Sequence, residues 1–378
     1  MGFLRSVATA RMPRDAKSEI LHLRGAQSFL QGRFESVARE QFDDGWTPEE
    51  KEPHELQTTV TEERARSILS HNDSPDIGFD RSINPYRGCE HGCIYCYARP
   101  SHAYLELSPG LDFETKLFAK TNAPELLREA LARPGYTPSP IALGANTDCY
   151  QPIERKYKIT RQILEILAEC EHPVTMVTKS ALVERDLDLL APMAKKNLVK
   201  VFVSIGTLDR GLARKLEPRA ASPQRRLDVI RSLHANQVPC GVMVAALIPA
   251  LNDKTLEHVL EEASKAGAAE AAYVLMRLPN ELKDLFKEWL AANYPDRADH
   301  VISIVRQIRG GKDNDPRFGT RMTGTGNFAG LIAKRFEIAC RRFGLNGNMR
   351  GHAGARRPPE LDCSRFRRPS LSGQLGLF

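Results

Sequence analysis

Three cysteines, Cys89, Cys93 and Cys96, fall within eight positions of the segment RGCEHGCIYCY (residues 87–97), spaced C-x3-C-x2-C, and no fourth cysteine follows nearby. Thiolate sulfur selects zinc, copper(I) or iron–sulfur clusters, and a four-iron cluster normally takes four protein ligands. Three ligands leave one iron open to an outside group, by the logic that makes an open position on zinc catalytic and a closed one structural. Gly88 and Gly92 let the backbone wrap tightly, and Arg87 and the loop amides can offset thiolate charge. The other reading of this loop is a structural zinc site with His91 or His102 as fourth ligand. Such sites usually draw on two close pairs, and no second cysteine pair lies at a sensible distance.

The elements that must hold this loop follow a rhythm that starts near residue 80. Short apolar runs at 80–85, 140–147, 173–179, 199–206, 239–248 and 271–278 predict strands. Between them lie segments of helical period at 182–196, 223–236 and 254–266, and one from residue 159, where Ile159, Ile163, Ile166, Leu167 and Cys170 share a face until Pro173 forbids continuation. Strand, helix, strand at this spacing means parallel strands, and apolar runs such as VMVAALI suit a sheet covered on its outer face. The fold class is therefore α/β, a partial (β/α)6 TIM-like barrel, whose chemistry sits at the C-terminal strand ends. The cysteine loop follows the first predicted strand, at that end. Further helices are expected at 281–292, 300–309 and 328–343, with a Gly/Asp/Asn-rich loop at 310–327. The division expected is an N-terminal extension at 1–60, partly disordered with a short helix near 20–29, a barrel core at 61–280, a C-terminal helical cap at 281–345, and a basic flexible tail at 346–378.

With 378 residues, 42% hydrophobic and 27% charged, the chain has ample material for a large core. Eight cysteines with only three clustered argue against a disulfide framework and for a reducing, cytoplasmic setting. No apolar run is long enough to span a membrane, and Arg5, Arg11 and Pro13 interrupt any signal-peptide core, so a soluble, unexported protein is expected. Of the net charge of +7, a surplus of four lies after Leu345, where six arginines face Glu360 and Asp362. Such a tail can neutralise phosphates and bind nucleic acid, or be merely solvated.

The pattern C-x3-C-x-aromatic-C, with Tyr95 before the third cysteine, resembles the signature of the radical S-adenosylmethionine enzymes. That resemblance implies a [4Fe-4S] cluster on Cys89, Cys93 and Cys96, S-adenosylmethionine on the open iron, and a 5′-deoxyadenosyl radical that abstracts hydrogen from substrate. The surrounding words NDSPDIGFDRSINPYRGCEHGCIYCYARPSHAYL, TDCYQPIER, LEPRA, RGGKDND and FGTRMTG resemble a bacterial group placed with spore photoproduct lyase and labelled DNA repair photolyase. It implies that Thr147, Lys179 and Ser204 line the S-adenosylmethionine pocket, with Tyr95 approaching adenine, and it implies DNA-repair-like chemistry on nucleic acid with a flavodoxin- or ferredoxin-type reductant. There is one departure. The lyase returns a hydrogen atom from a cysteine near the end of its second strand; the matching position here is Ala145, and Cys149, four residues on, is the candidate to replace it. Asp148, Gln151, Glu154 and Arg155 are expected to face the substrate cavity. The last five residues, Gln374 to Phe378 (QLGLF), resemble the peptide by which bacterial repair proteins bind the sliding clamp. Two other readings stay open: a radical enzyme modifying RNA or protein, and a structural-metal protein docking on the clamp.

Overall fold

Alternating burial makes the strands. In VKVFVS at 199–204 every second side chain is buried, and in CGVMVAAL at 240–247 nearly all are at least partly covered. The computed structural model describes residues 24–35, 56–347 and 361–370. Among these, the strands in chain order are β1 (Thr59–Glu63), β2 (Leu69–His71), β3 (Arg81–Ile83), β4 (Tyr86–Arg87), β5 (Lys116–Lys120), β6 (Ile141–Leu143), β7 (Val174–Thr178), β8 (Val199–Ser204), β9 (Cys240–Leu247) and β10 (Glu270–Leu275). The main sheet has the order β10-β9-β8-β7-β6-β3-β2. Its pairings from β3 through β10 are all parallel, and β2 adds an antiparallel edge. Six sequential parallel strands joined by helices form the partial (β/α)6 barrel that the sequence pattern predicts.

The crossovers are built as their periodicity requires. Helix Ile159–Glu169 buries Ile159, Ile163, Leu164, Ile166 and Leu167 on one side, and Cys170 ends it in the core. Helix Pro223–Ala235 starts on Ser222, whose hydroxyl accepts from the Arg225 amide at 3.3 Å. Helix Gly326–Phe343 ends on Gly344 at φ +70° and buries Cys340.

Three features differ from the sequence expectation. The long connection between β3 and β6 carries β4, β5 and a helix at Ala123–Ala132, and β4 and β5 join the earlier β1 in a small sheet of order β1-β5-β4. Residues 24–29 are not helical; they run alongside the cysteine loop, while 20–23 lie outside the described residues. Residues 361–370 are placed against the barrel, the Arg367 amide donating to the Cys170 carbonyl at 2.8 Å and Phe366 packing on Tyr136 and His172. The rest of the basic tail that is masked, including Gln374 to Phe378, lies outside the described residues.

After β10, helix Leu282–Asn293 turns Leu282, Leu285, Phe286, Trp289 and Leu290 into a second core. That core also contains Cys93, Ile94, Tyr95 and Leu216, so the C-terminal helices support the cysteine loop directly. No helix among the described residues is long and apolar enough to cross a membrane.

Candidate active site around the cysteine loop

The loop leaves the C-terminal side of β3 and turns at Gly88 and Gly92, both at positive φ (+72° and +67°). At Gly92 a Cβ would stand 2.7 Å from Glu114 Oε2, so the turn admits no side chain. The backbone is tied at three points: Cys89 N to Phe113 O at 2.9 Å, Ile94 N to Leu216 O at 3.0 Å, and Cys96 N to Cys93 O at 3.2 Å. Cys89 and Cys93 are buried and Cys96 half-buried. Burial pushes the Cys89 thiol well up, and Asp148, Cys93 and Cys96 push it further. Burial likewise raises Cys93 to about 12 against the pull of Lys179, with Glu217 and Cys96 adding to the rise. Cys89 and Cys93 thus stay protonated until a cation replaces the protons, as metal binding to thiolates requires.

Among the described residues, no three His, Cys, Asp or Glu side chains gather closely enough for a single metal ion. A tetrahedral zinc with bonds of about 2.3 Å needs its sulfurs within roughly 4 Å of one another. Each histidine offered as a fourth zinc ligand has one ring nitrogen engaged, and His102 Nδ1 is buried without a hydrogen-bond partner. His91 Nδ1 faces Asp148 Oδ2 at 3.3 Å, and His102 Nε2 meets the Lys116 carbonyl at 2.9 Å. Three cysteines on one tight loop, two buried and one half-buried, offer the soft thiolate donors that an iron–sulfur cluster takes.

Arg99 and Glu114 hold the loop from behind, and sequence reasoning missed both. Arg99 is wholly buried and donates to the carbonyls of Cys93 (2.9 Å), Gly92 (3.1 Å), Gly110 (2.9 Å) and Pro109 (3.2 Å). Its charge is met by Glu114, also at zero exposure, whose carboxylate accepts from the amides of Gly25 (2.9 Å) and Ala26 (2.8 Å). This seats the N-terminal segment on the loop so tightly that a Cβ on Gly25 would lie 1.7 Å from Gly92 O. Arg99 and Glu114 are 15 residues apart and Glu114 and Gly25 are 89 apart, so no local spacing announces this chain of contacts.

Of the strand-end candidates, Tyr95 and Lys179 come together. The Lys179 ammonium stands 5.8 Å from the Tyr95 ring centre, and although burial opposes its charge, Cys93 and Glu217 hold its pKa above the usual lysine value. The Tyr95 hydroxyl donates to Glu217, which pairs with the buried Arg226. Burial works against the Glu217 charge, but Arg226 and Lys179 outweigh it and keep the carboxyl low. Glu217 lies in LEPRA, and Arg226 ties the group to β8 through the Ser204 carbonyl at 2.9 Å. The hydroxyls of Thr147 and Ser204 are buried and donate to the carbonyls of Tyr86 (2.9 Å) and Ala245 (3.3 Å).

Several other expectations are corrected. Arg87 turns from the thiols to Glu63 at 2.8 Å. Asp148 does not face a cavity: it accepts from Thr178 Oγ1 (2.8 Å), Lys179 N (2.8 Å) and Tyr150 N (2.9 Å). Burial raises its carboxyl, but His91 and these amides outweigh burial and hold it at about 2. Gln151 is fully buried and clasps the loop, accepting from Glu90 N at 3.0 Å and donating to Gly88 O at 3.0 Å. Glu154, equally buried, is held by Tyr86, Thr160 and Arg185, while Arg155 is exposed. Cys149 is at zero exposure within the main core, so no water-sized space touches its thiol.

The Tyr97 hydroxyl donates to the Ala145 carbonyl just beyond β6. The other face of this mouth is the segment 309–322. Arg309 is buried there and fastens it to the end of β10 through the carbonyls of Leu275 (2.9 Å), Met276 (2.6 Å), Thr320 (3.2 Å) and Arg321 (2.9 Å).

Comparison with known proteins places this geometry. Residues 83–263 match the model of the Radical SAM superfamily. A Mycobacterium tuberculosis protein, Rv2578c, is 37% identical over 233 residues, which cover 61% of this chain and 68% of that protein. A Methanocaldococcus jannaschii protein, MJ0683, is 28% identical over 214 residues, covering 57% and 76%. Among solved structures, spore photoproduct lyase complexed with dinucleoside spore photoproduct superposes with a TM-score of 0.57 at 15% identity, over 77% of this chain and 82% of that one; the likeness is one of fold.

Proposed function

Because this chain belongs to the radical SAM superfamily, and is by that membership an enzyme, we propose that Cys89, Cys93 and Cys96 hold a [4Fe-4S] cluster whose open iron receives S-adenosylmethionine. The observation that carries this reading is a three-cysteine loop, two of its thiols buried and one half-buried, with no fourth thiol beside it among the described residues, at the C-terminal end of the first parallel strand. Held by Cys89, Cys93 and Cys96, such a cluster would supply an electron for reductive cleavage of S-adenosylmethionine and so the radical chemistry of the superfamily.

The chain's own work is orientation and exclusion. Lys179, kept charged between Cys93 and Glu217, pairs with the carboxylate of S-adenosylmethionine. Glu217 and Arg226 fix Tyr95 so that its ring and backbone wall the adenine side. Thr147 and Ser204 spend their hydroxyl protons on carbonyls but keep lone pairs free to accept from the ribose or ammonium groups. Cys149, enclosed in the core, serves packing and not hydrogen return.

The substrate class is nucleic acid. Support comes from the chain's net charge of +7, from the group resemblance, and from the lyase of similar fold that was solved with a dinucleoside photoproduct. QLGLF at the terminus would bring a sliding clamp as partner, and a flavodoxin or ferredoxin in the cytoplasm would supply electrons; eight free thiols suit such a reducing compartment.

The test uses anaerobically reconstituted protein. About four irons and four sulfides per chain are expected, with 5′-deoxyadenosine formed on adding S-adenosylmethionine and dithionite, and both lost in Cys93→Ala. Stoichiometric zinc and no 5′-deoxyadenosine would sink the proposal.

A further inference from the structure

Two aromatic rings stand exposed at the mouth of the barrel, and each has a guanidinium over one face. Tyr97 is 50% exposed and Phe318 60%. The Arg277 guanidinium carbon lies 5.9 Å from the Tyr97 ring centre, and that of Arg321 lies 4.7 Å from the Phe318 ring centre. The two pairs are neighbours: Arg277 donates to Met322 Sδ at 3.4 Å, one residue from Arg321, whose charge acts on it directly. Tyr97 reaches Ala145 beyond β6, and Arg277 follows β10 by two residues, so the pairs span the opening from one strand to another.

This surface is stiff before any ligand arrives. Arg309 clamps four carbonyls around it, the Leu275 amide donates to the Met322 carbonyl at 2.9 Å, and Arg321 is locked on Asp76 at 2.7 Å. Stiffness lowers the ordering cost of binding. Asp76 is the acid that acts on Arg277, yet it is already held by Arg321 and by the Gly319 amide at 2.6 Å. The Arg277 Nε is buried without a hydrogen-bond partner. Arg277 is thus a cation with no committed anion among the described residues, set over the Tyr97 ring and next to the Arg321–Phe318 pair.

We propose that Tyr97 and Phe318, backed by Arg277 and Arg321, form a stacking platform for unpaired nucleotides, with Arg277 taking a phosphodiester, so that the enzyme acts on single-stranded or locally opened nucleic acid. A closed duplex buries its base faces against one another, and only an unpaired base offers a π-face to a protein ring. A guanidinium over one side of each ring leaves the other side for a base and draws phosphate to the same place. This rests on the nucleic-acid reading above and sharpens it.

The experiment is fluorescence anisotropy of the full, cluster-loaded chain with a labelled 12-nucleotide single strand and with a hairpin duplex of the same composition. The single strand binds at least tenfold tighter. Phe318→Ala weakens the single strand about tenfold, the loss of one stacked base, and leaves the duplex unchanged. Arg277→Gln reduces the log–log salt slope on the single strand by about 0.7, one phosphate contact. Cluster absorbance and circular dichroism of each variant show that it is folded. Equal affinity for strand and duplex, an unaltered Phe318→Ala variant, or equal affinity for a polyglutamate peptide overturns the platform while leaving a nucleic-acid substrate standing. Failure of the wild type to bind either nucleic acid overturns both.

Discussion

Replacing Arg99 by Met should cost the protein more than any other single change near the cysteines. Arg99 and Glu114 are both at zero exposure, and the guanidinium also serves the carbonyls of Gly92, Cys93, Pro109 and Gly110. Met fills most of the volume but strands the Glu114 carboxylate with two amide donors, from Gly25 and Ala26. Breaking one side of a buried pair costs about 3–5 kcal/mol. Taking about 4, the folding equilibrium moves by about three decades, a large share of the roughly 5–15 kcal/mol that holds a domain together. Urea unfolding of the cluster-free protein measures this directly, and iron per chain after reconstitution reports whether the loop still presents its thiols. Arg99→Met with Glu114→Gln removes the stranded charge, so the double variant should regain at least about 2 kcal/mol over the single one, a coupling that a double-mutant cycle resolves. If Arg99→Met unfolds within about 1 kcal/mol of wild type and loads iron normally, the pair is not what holds the loop.

Other perturbations probe separate parts of the argument. Gly25→Ala drives a Cβ into Gly92 O, 1.7 Å away, and should lower the melting temperature and speed hydrogen exchange at the Gly92 and Cys93 amides. Lys179→Met should weaken S-adenosylmethionine binding to the cluster-loaded protein at least tenfold, an expectation on the scale of one charged hydrogen bond of about 1.5–3 kcal/mol, read by equilibrium dialysis. Cys149→Ala should lose about 1 kcal/mol of stability and keep full 5′-deoxyadenosine formation; loss of hydrogen return to product in that variant would restore Cys149 as a donor. His172 is buried on Tyr136 at 2.7 Å and its pKa is lowered by burial to about 4. Its folded form is neutral while the unfolded chain, with a pKa of about 6.5, takes up a proton below that pH. Stability should therefore fall as pH drops from about 6.5 toward 4, by about 3 kcal/mol at the lower end, and His172→Gln should flatten that dependence in urea midpoints.

Much of the fold could be read in advance because its signals are local. All six parallel strands lie where apolar runs sit, and the helix from Ile159 stops where Pro173 requires, since periodicity and proline act over a few residues. The connection between β3 and β6 was opaque for the converse reason. Strands β4 and β5 and helix Ala123–Ala132 are short and mixed, and they exist because tertiary partners, β1 among them, complete them.

The site divides along the same line. Spacing alone marks Cys89, Cys93 and Cys96 as a ligand set, and ligand type and count are properties of the chain itself. The roles of the polar groups around them are not. TDCYQPIER reads as a lining for a substrate cavity, but Asp148, Gln151 and Glu154 are fasteners, each hydrogen-bonded to a residue distant in sequence. Glu114 and Arg226 carry no motif, Arg99 and Glu217 sit in recognisable words without any sign of their task, and only folding brings the four to the cysteine loop. A buried charge is tolerable only where partners gather to meet it, and that gathering is decided by packing across the whole chain. The sequence by itself determined which atoms could bind a metal and on which end of the sheet they would lie; the tertiary structure decided which charges hold them there, which thiol is sealed away, and which rings are left facing outward.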